Sequence, residues 1–194
     1  MRLKSSHSSL VLSPAEEASS LNFQDDHRYW ETPYWYALYT RSRCEKVVEE
    51  GLGRKGIKTF LPIRKITRRW SDRKKIIEDP LFKGYVFVQI PWKARWEVLN
   101  TVGTVRFIGP KHSHPTVVPE KDLLIIQRFI EEKLQIDPFP YLREGERVYI
   151  RSGPFKGAEG FIVRKNRNCR LVISLDLLMQ SISIEIDQAC VEAA

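Results

Sequence analysis

Pro138 and Pro140 flank Phe139 in the stretch QIDPFPYLREGE, and no other feature constrains the fold of this chain as much. Neither proline can donate a backbone hydrogen bond, so a helix or central strand does not run through them. Before this break, strand-like and helix-like stretches alternate; after it, only short strand-like runs remain. A chain of 194 residues accommodates two small domains. The expected division is a domain over 34–132, a linker over 133–142 and a second domain over 143–194. Residues 1–33 are Ser-rich and poor in branched apolar side chains, and are expected to be a disordered leader.

In the first domain, WYALYT alternates with period two, placing Trp35, Ala37 and Tyr39 on one face and Tyr36 and Leu38 on the other. Ser42 and Glu45 have the spacing of a reciprocal helix cap, which predicts a helix over 43–54. IKTFLPI reads as a strand, with Pro62 placing it at an edge or a strand end. RKITRRWSDRKKIIED reads as two polar arms around a Ser71-Asp72 turn, too poor in apolar residues to be held flat against a core. GYVFVQI and GTVRFIG are strands, Pro91 opens a helix over WKARWEVLN, and PEKDLLIIQRFIEEKL carries Leu123, Ile126 and Ile130 at helical spacing. The expected class is α+β, an antiparallel sheet flanked by helices in an α/β sandwich. The second domain, with RVYIR, GFIVR, RLVIS and ISIEI, is expected to be a small β-barrel.

The net charge is +8 and the pI about 9.5, and the charge is concentrated. Between Arg41 and Lys75 there are 13 Lys/Arg against 4 Asp/Glu, which leaves the rest of the chain near neutrality. Such a segment suits a polyanion, although a charge run also serves as a solvated face. Cys44, Cys169 and Cys190 form no CxxC pair and are expected to be thiols in a reducing cytoplasm. The apolar run Leu10-Val11-Leu12 is too short for a signal peptide, and no stretch has the roughly 20 apolar residues of a membrane span. His112 and His114 lack a third ligand at useful spacing, and no phosphate loop, nucleophile elbow or carboxylate pair appears. Binding rather than catalysis is expected, with no cofactor and no metal.

DPLFKGYVFVQI crowds Phe82, Tyr85 and Phe87 around Lys83-Gly84, a combination suited neither to a pure core strand nor to a pure turn. In order along the chain, WYALYTRSRCEK, FLP and PLFKGYVFVQI resemble the NGN domain of the NusG family of transcription elongation factors. EGERVYIRSGPFKGAEGFIVRK resembles the family's KOW motif, an SH3-like barrel. The resemblance spans residues 35 to 192. Lys83 replaces a usual Pro, SLDLLMQS stands where housekeeping members carry an IFGR-like turn, and ISIEIDQACVE is also unlike them. In these respects the chain is more similar to the operon-specific UpxY and RfaH paralogues.

The resemblance implies binding to RNA polymerase at the clamp coiled coil, through Tyr39, Phe82, Tyr85 and Phe87. Composition alone favours all four rings as core, and the resemblance reverses this for Phe82 and Tyr85 but less so for Phe87. It further implies contact with upstream duplex or non-template DNA. Arg41 and Arg43 carry this role from the family. In the hairpin, Arg68, Arg69, Arg73 and Lys74 are suited to phosphates and Trp70 to an unpaired base. Phe155, Leu177 and Leu178 correspond to the edge offered to Rho or to the small-subunit ribosomal protein also known as NusE, or else they are barrel core. The expected state is a monomer without membrane attachment, acting in antitermination. A housekeeping NusG and a KOW-type ribosomal or RNA-binding protein are the alternatives.

Overall fold

A computed structural model describes residues 27–69, 74–109, 116–132, 136–142, 145–153, 156–165, 168–186 and 191–193. The leader was expected to be disordered throughout, but its end forms helix α1, His27–Glu31. Tyr29 anchors it: the ring is buried and lies 4.8 Å from that of Tyr34. Residues 1–26 lie outside the described residues.

The first sheet has the order β2 (Lys58–Phe60), β5 (Tyr85–Ile90), β1 (Tyr34–Thr40), β6 (Thr104–Phe107), all antiparallel. Tyr36 pairs with Val88, Leu38 with Val86 and Ala37 with Phe87. Directly opposed residues share a face, so this register sorts the strands into two apolar surfaces. Tyr36, Leu38, Val86, Val88 and Ile90 pack with Val48 and Leu52 of α2 (Glu45–Arg54) and Val98 of α3 (Arg95–Leu99). Trp35, Ala37 and Phe87 belong to the other core, with Leu123, Ile126 and Phe129 of α4 (Glu120–Glu131). Glu120 and Asp122 in the first turn of α4 and Arg128 in its last complement the helix dipole. Ile130 is only half-buried, and Phe129 takes the third core position.

Ser42 does not cap α2. Cys44 occupies the N-cap without a side-chain bond, and the buried Glu45 carboxylate turns to the backbone of Gly84 instead. Pro91 precedes a 3-10 turn, Trp92–Ala94, which leads into α3. The two basic arms pair as β3 (Ile63–Arg69) and β4 (Lys74–Pro80), a two-stranded sheet of their own. Residues 70–73, with the expected turn, and 110–115, with His112 and His114, lie outside the described residues.

The second domain is a six-stranded antiparallel sheet in the order β12 (Val191–Ala193), β8 (Glu146–Ile150), β9 (Glu159–Lys165), β10 (Asn168–Leu175), β11 (Gln180–Ile186), β7 (Ile136–Phe139). β7 lies inside the segment expected to be a linker. Its Pro138 stands opposite Ile182 on an outermost strand, where a missing N–H is tolerated. A 3-10 turn, Asp176–Leu178, joins β10 to β11. Gly160 is required by a close approach: a Cβ there would meet the Val172 carbonyl oxygen at 2.5 Å.

The two domains share buried apolar residues: Phe87, Val118 and Ile126 of the first belong to one cluster with Ile136, Leu175, Leu178 and Ile182 of the second. Among the described residues no helix is long and apolar enough to cross a membrane, and no His/Cys/Asp/Glu group could hold a metal ion.

The Gly160 contact generates a stability prediction. Gly160→Ala forces β9 and β10 apart and costs the second domain about 1–3 kcal/mol. Thermal unfolding followed by circular dichroism should show a lowered midpoint, and an unchanged midpoint would show that the strands have room.

Candidate functional site

The Lys83-Gly84 pair forms a turn at the end of β1. Gly84 has φ +83°, a left-handed conformation that L side chains rarely adopt, and its missing Cβ would lie 3.2 Å from Tyr39 Cε2. Its N–H donates to Glu45 Oε1 at 2.7 Å, and its carbonyl accepts from the Thr40 N–H at 2.8 Å. Strand, turn and helix are thus tied at one point, and the Tyr39 ring lies across it.

Tyr39 is paired with Tyr85 in the β1–β5 register, with ring centroids 5.5 Å apart. The Arg106 guanidinium lies 5.9 Å from the Tyr39 ring. Tyr39 is 39% exposed and Tyr85 half-buried, whereas Phe82 is 1% and Phe87 0% exposed. The two phenylalanines meet edge-on at 6.0 Å, and Phe87 also stacks on Phe60 at 6.2 Å. Of the four aromatic residues expected to form one binding depression, two therefore present surface and two lie in the interior.

Arg41 and Arg43 are exposed in the loop beyond Tyr39, close to the turn through the Thr40–Gly84 bond. Arg43 has φ +60°, uncommon for a residue with a side chain. Lys83, next to Gly84 in the turn, is exposed, with Asp79 Oδ1 3.8 Å from its Nζ. In the hairpin, Arg68 and Arg69 lie in β3 and Lys74 in β4, with Arg69 opposite Lys74. Trp70 and Arg73 lie outside the described residues.

Sequence reasoning missed the role of Arg64, which belongs to the basic stretch but is held by ion pairs. It reaches Asp79 Oδ2 at 3.0 Å and Asp137 Oδ1 at 2.9 Å, joining the hairpin to β7. Lys46 likewise binds Glu78 Oε2 at 2.6 Å, tying the hairpin to α2. Only the two acids Glu78 and Asp79 at the end of β4 hint at such pairs, and no local pattern indicates Asp137 as a partner.

Leu177 and Leu178 do not form a free edge in this arrangement. With Ser174 and Leu175 they line a cleft whose other wall is Phe87, Val118, Pro119 and Asp122 of the first domain. Phe155 lies outside the described residues. Burial, together with the negative charges of Glu159 and Asp176 across the junction, raises the pKa of Asp122, while Lys121 opposes the rise. Tyr141 donates to Asp176 Oδ1 at 2.9 Å, so that acid is partly held by its own domain.

An α/β domain with two partly exposed tyrosines beside Arg106 is followed by a β-rich domain packed against it. Residues 33–127 match the family described as "Transcription termination factor nusG". The chain is 24% identical over 173 residues to the transcription termination/antitermination protein NusG of Borreliella burgdorferi, covering 79% of this chain and 94% of that protein. It is 26% identical over 174 residues to the NusG of Lactococcus lactis, covering 81% and 91%. A solved structure of Thermotoga maritima NusG, titled for its domain interaction, matches the fold with a TM-score of 0.51 at 23% identity. That match covers 83% of this chain and 97% of the other. Its first domain, over the matched residues 33–127, is that of the NusG family.

Two predictions follow from the turn and the junction. Gly84→Ala forces a side chain into a left-handed conformation against Tyr39, costing about 1–2 kcal/mol in urea unfolding; a change near zero would mean that Tyr39 swings aside freely. For the junction, the raised Asp122 pKa means that closure favours the protonated acid. Its contribution is fully present below the ordinary aspartate value and is lost as pH rises through the raised value. Small-angle scattering should show the chain expanding across that acidic window, and Asp122→Asn should abolish this step.

Proposed function

We propose that this protein is a transcription elongation factor that docks on RNA polymerase at the clamp coiled coil through the Tyr39–Tyr85 face and favours antitermination. The observation carrying this reading is the tyrosine pair. Two rings are held in register where β1 ends and β5 begins, beside a glycine turn, and are partly open to solvent, with Arg106 over the Tyr39 ring and Arg41, Arg43 and Lys83 exposed on the adjoining loops. A shallow aromatic site of this kind draws most of its affinity from a few well-packed rings, and rim cations steer an acidic partner. The curated relatives are named as transcription termination/antitermination proteins, which supports the same class of activity.

In this reading the second domain regulates access. Phe87 borders the interdomain cleft, so full exposure of the aromatic surface requires Leu177 and Leu178 to withdraw. The same withdrawal would offer those leucines, with Phe155, to Rho or to the ribosomal protein also known as NusE. Arg41, Arg43 and the hairpin cations Arg68, Arg69, Arg73 and Lys74, with Trp70, then face the upstream or non-template DNA. The protein works as a cytoplasmic monomer. The Asp176–Leu178 turn, in the segment that departs from housekeeping members, lies on this cleft and favours the operon-specific form of the reading.

Immobilised clamp coiled coil should retain the parent chain, and Tyr85→Ala should weaken retention about tenfold or more, the loss typical of an aromatic hot spot. Equal retention would remove the tyrosine pair from the interface. Transcription of templates from many operons, compared with one from the neighbouring gene cluster, separates a specialised factor from a housekeeping one. A chain that binds free RNA but no polymerase would instead belong with the KOW-type ribosomal proteins.

A further inference from the structure

On the opposite side of the first sheet, three indoles gather around one guanidinium. The Arg95 guanidinium carbon lies 4.9 Å from the Trp30 ring centroid, 5.6 Å from that of Trp92 and 5.2 Å from that of Trp96. Trp92 is the anchor, packed 5.4 Å from Tyr36 and 5.0 Å from Phe107 on the face that carries α2 and α3. Trp30 and Trp96 are 44% and 60% exposed. The arrangement is held in place: Arg95 donates to the Trp92 carbonyl at 3.3 Å, and the Lys93–Glu31 ion pair fastens α1 to the turn before α3.

The surrounding charge is positive. Arg95 forms no ion pair among the described residues, and neither does Arg54 at the end of α2. Lys55 donates to the Glu97 carbonyl and to Thr101 Oγ1, both at 2.8 Å, so its hydrogen bonds are satisfied by neutral groups and its charge is not cancelled. The facing acids are Glu31, already paired with Lys93, and Glu97. Cations thus stand at both ends of α3, a ridge about 7.5 Å long with open aromatic faces along it.

Open indoles beside uncancelled cations fit one ligand chemistry best. Unpaired bases stack on aromatic faces whatever their sequence, while Lys and Arg neutralise the adjoining phosphates. A duplex keeps its base faces covered and does not match the exposed indoles. We infer that Trp30, Arg95 and Trp96 form a binding site for an unpaired nucleic-acid strand, with bases on the two exposed indoles and phosphates at Arg95, Lys55 and Arg54. This site lies across the sheet from Tyr39 and Tyr85 and is distinct from the basic hairpin. It does not rest on the clamp reading, because its ligand is the strand alone.

The test is fluorescence anisotropy of the full chain with labelled 12-nucleotide DNA and RNA strands and a DNA duplex, at low and moderate salt. Trp96→Ala and Arg95→Gln should each weaken strand binding about fivefold or more, with salt sensitivity reduced in Arg95→Gln. Tyr85→Ala should leave it unchanged. Strands carrying 5-iodouracil should cross-link to Trp30 or Trp96, located by mass spectrometry. Circular dichroism of Trp96→Ala should match the parent, since the ring is mostly exposed. Loss with DNA, RNA or both supports the site and identifies which strand it takes. The inference is overturned if the parent binds no strand, prefers duplex, keeps its affinity in both variants or cross-links only elsewhere; the ridge would then be a protein-docking face.

Discussion

The antiparallel pairing of β1 with β5 is the constraint on which the rest depends. Its register places Ala37 opposite Phe87 and Leu38 opposite Val86, so each step along the pair sends side chains alternately to two different neighbours. One face takes α2 and α3; the other takes α4 and the second domain. A slip of β1 by one residue would turn Tyr36 away from α2 and α3 and Tyr39 toward them, parting Tyr39 from Tyr85. The Gly84 turn fixes the end of the pair, because it bonds both Thr40 and Glu45 and leaves no space for a side chain beneath Tyr39.

Around that sheet, the second domain is attached by polar as well as apolar contacts. Arg64 divides its guanidinium between Asp79 in its own hairpin and Asp137 on β7, so the hairpin and the second domain's outermost strand share one cation. At the cleft, burial of Asp122, and to a lesser degree the charges of Glu159 and Asp176, disfavour its ionised form, while Lys121 offsets part of this. The junction therefore combines an apolar attraction at Phe87 and Leu178 with a built-in electrostatic counterweight. Contacts balanced in this way suit domains that separate when a partner competes for the covered face.

Much of this fold was legible in the sequence, where the signal was periodic. The alternation in WYALYT indicated the two faces, the β-branched and aromatic content of GYVFVQI indicated β5, and the spacing of Leu123 and Ile126 indicated α4. Pro138 marked the change of architecture but not the strand containing it, because an outermost position excuses the missing donor and only pairing with β11 identifies it. The Ser42–Glu45 cap failed for a similar reason: Glu45 found a stronger partner in Gly84, 39 residues away. Tyr39 and Tyr85 emerged as a surface pair, but burial of Phe82 and Phe87 depends on long-range packing that their neighbours in the chain do not encode. Trp30 and Trp96 gave no sequence signal at all, since their common partner, Arg95, becomes visible only when α1 folds back over the turn before α3.

In the proposed function, the β1–β5 end bearing Tyr39, Gly84 and Tyr85 is where the polymerase is engaged. Hydrogen–deuterium exchange of the full chain, with and without the clamp coiled coil, tests it most directly. Protection is expected to concentrate at residues 38–41 and 82–86, accompanied by faster exchange along residues 174–178 as the second domain withdraws. Protection confined to the second domain or to β3 and β4, with residues 38–41 and 82–86 unchanged, would contradict it.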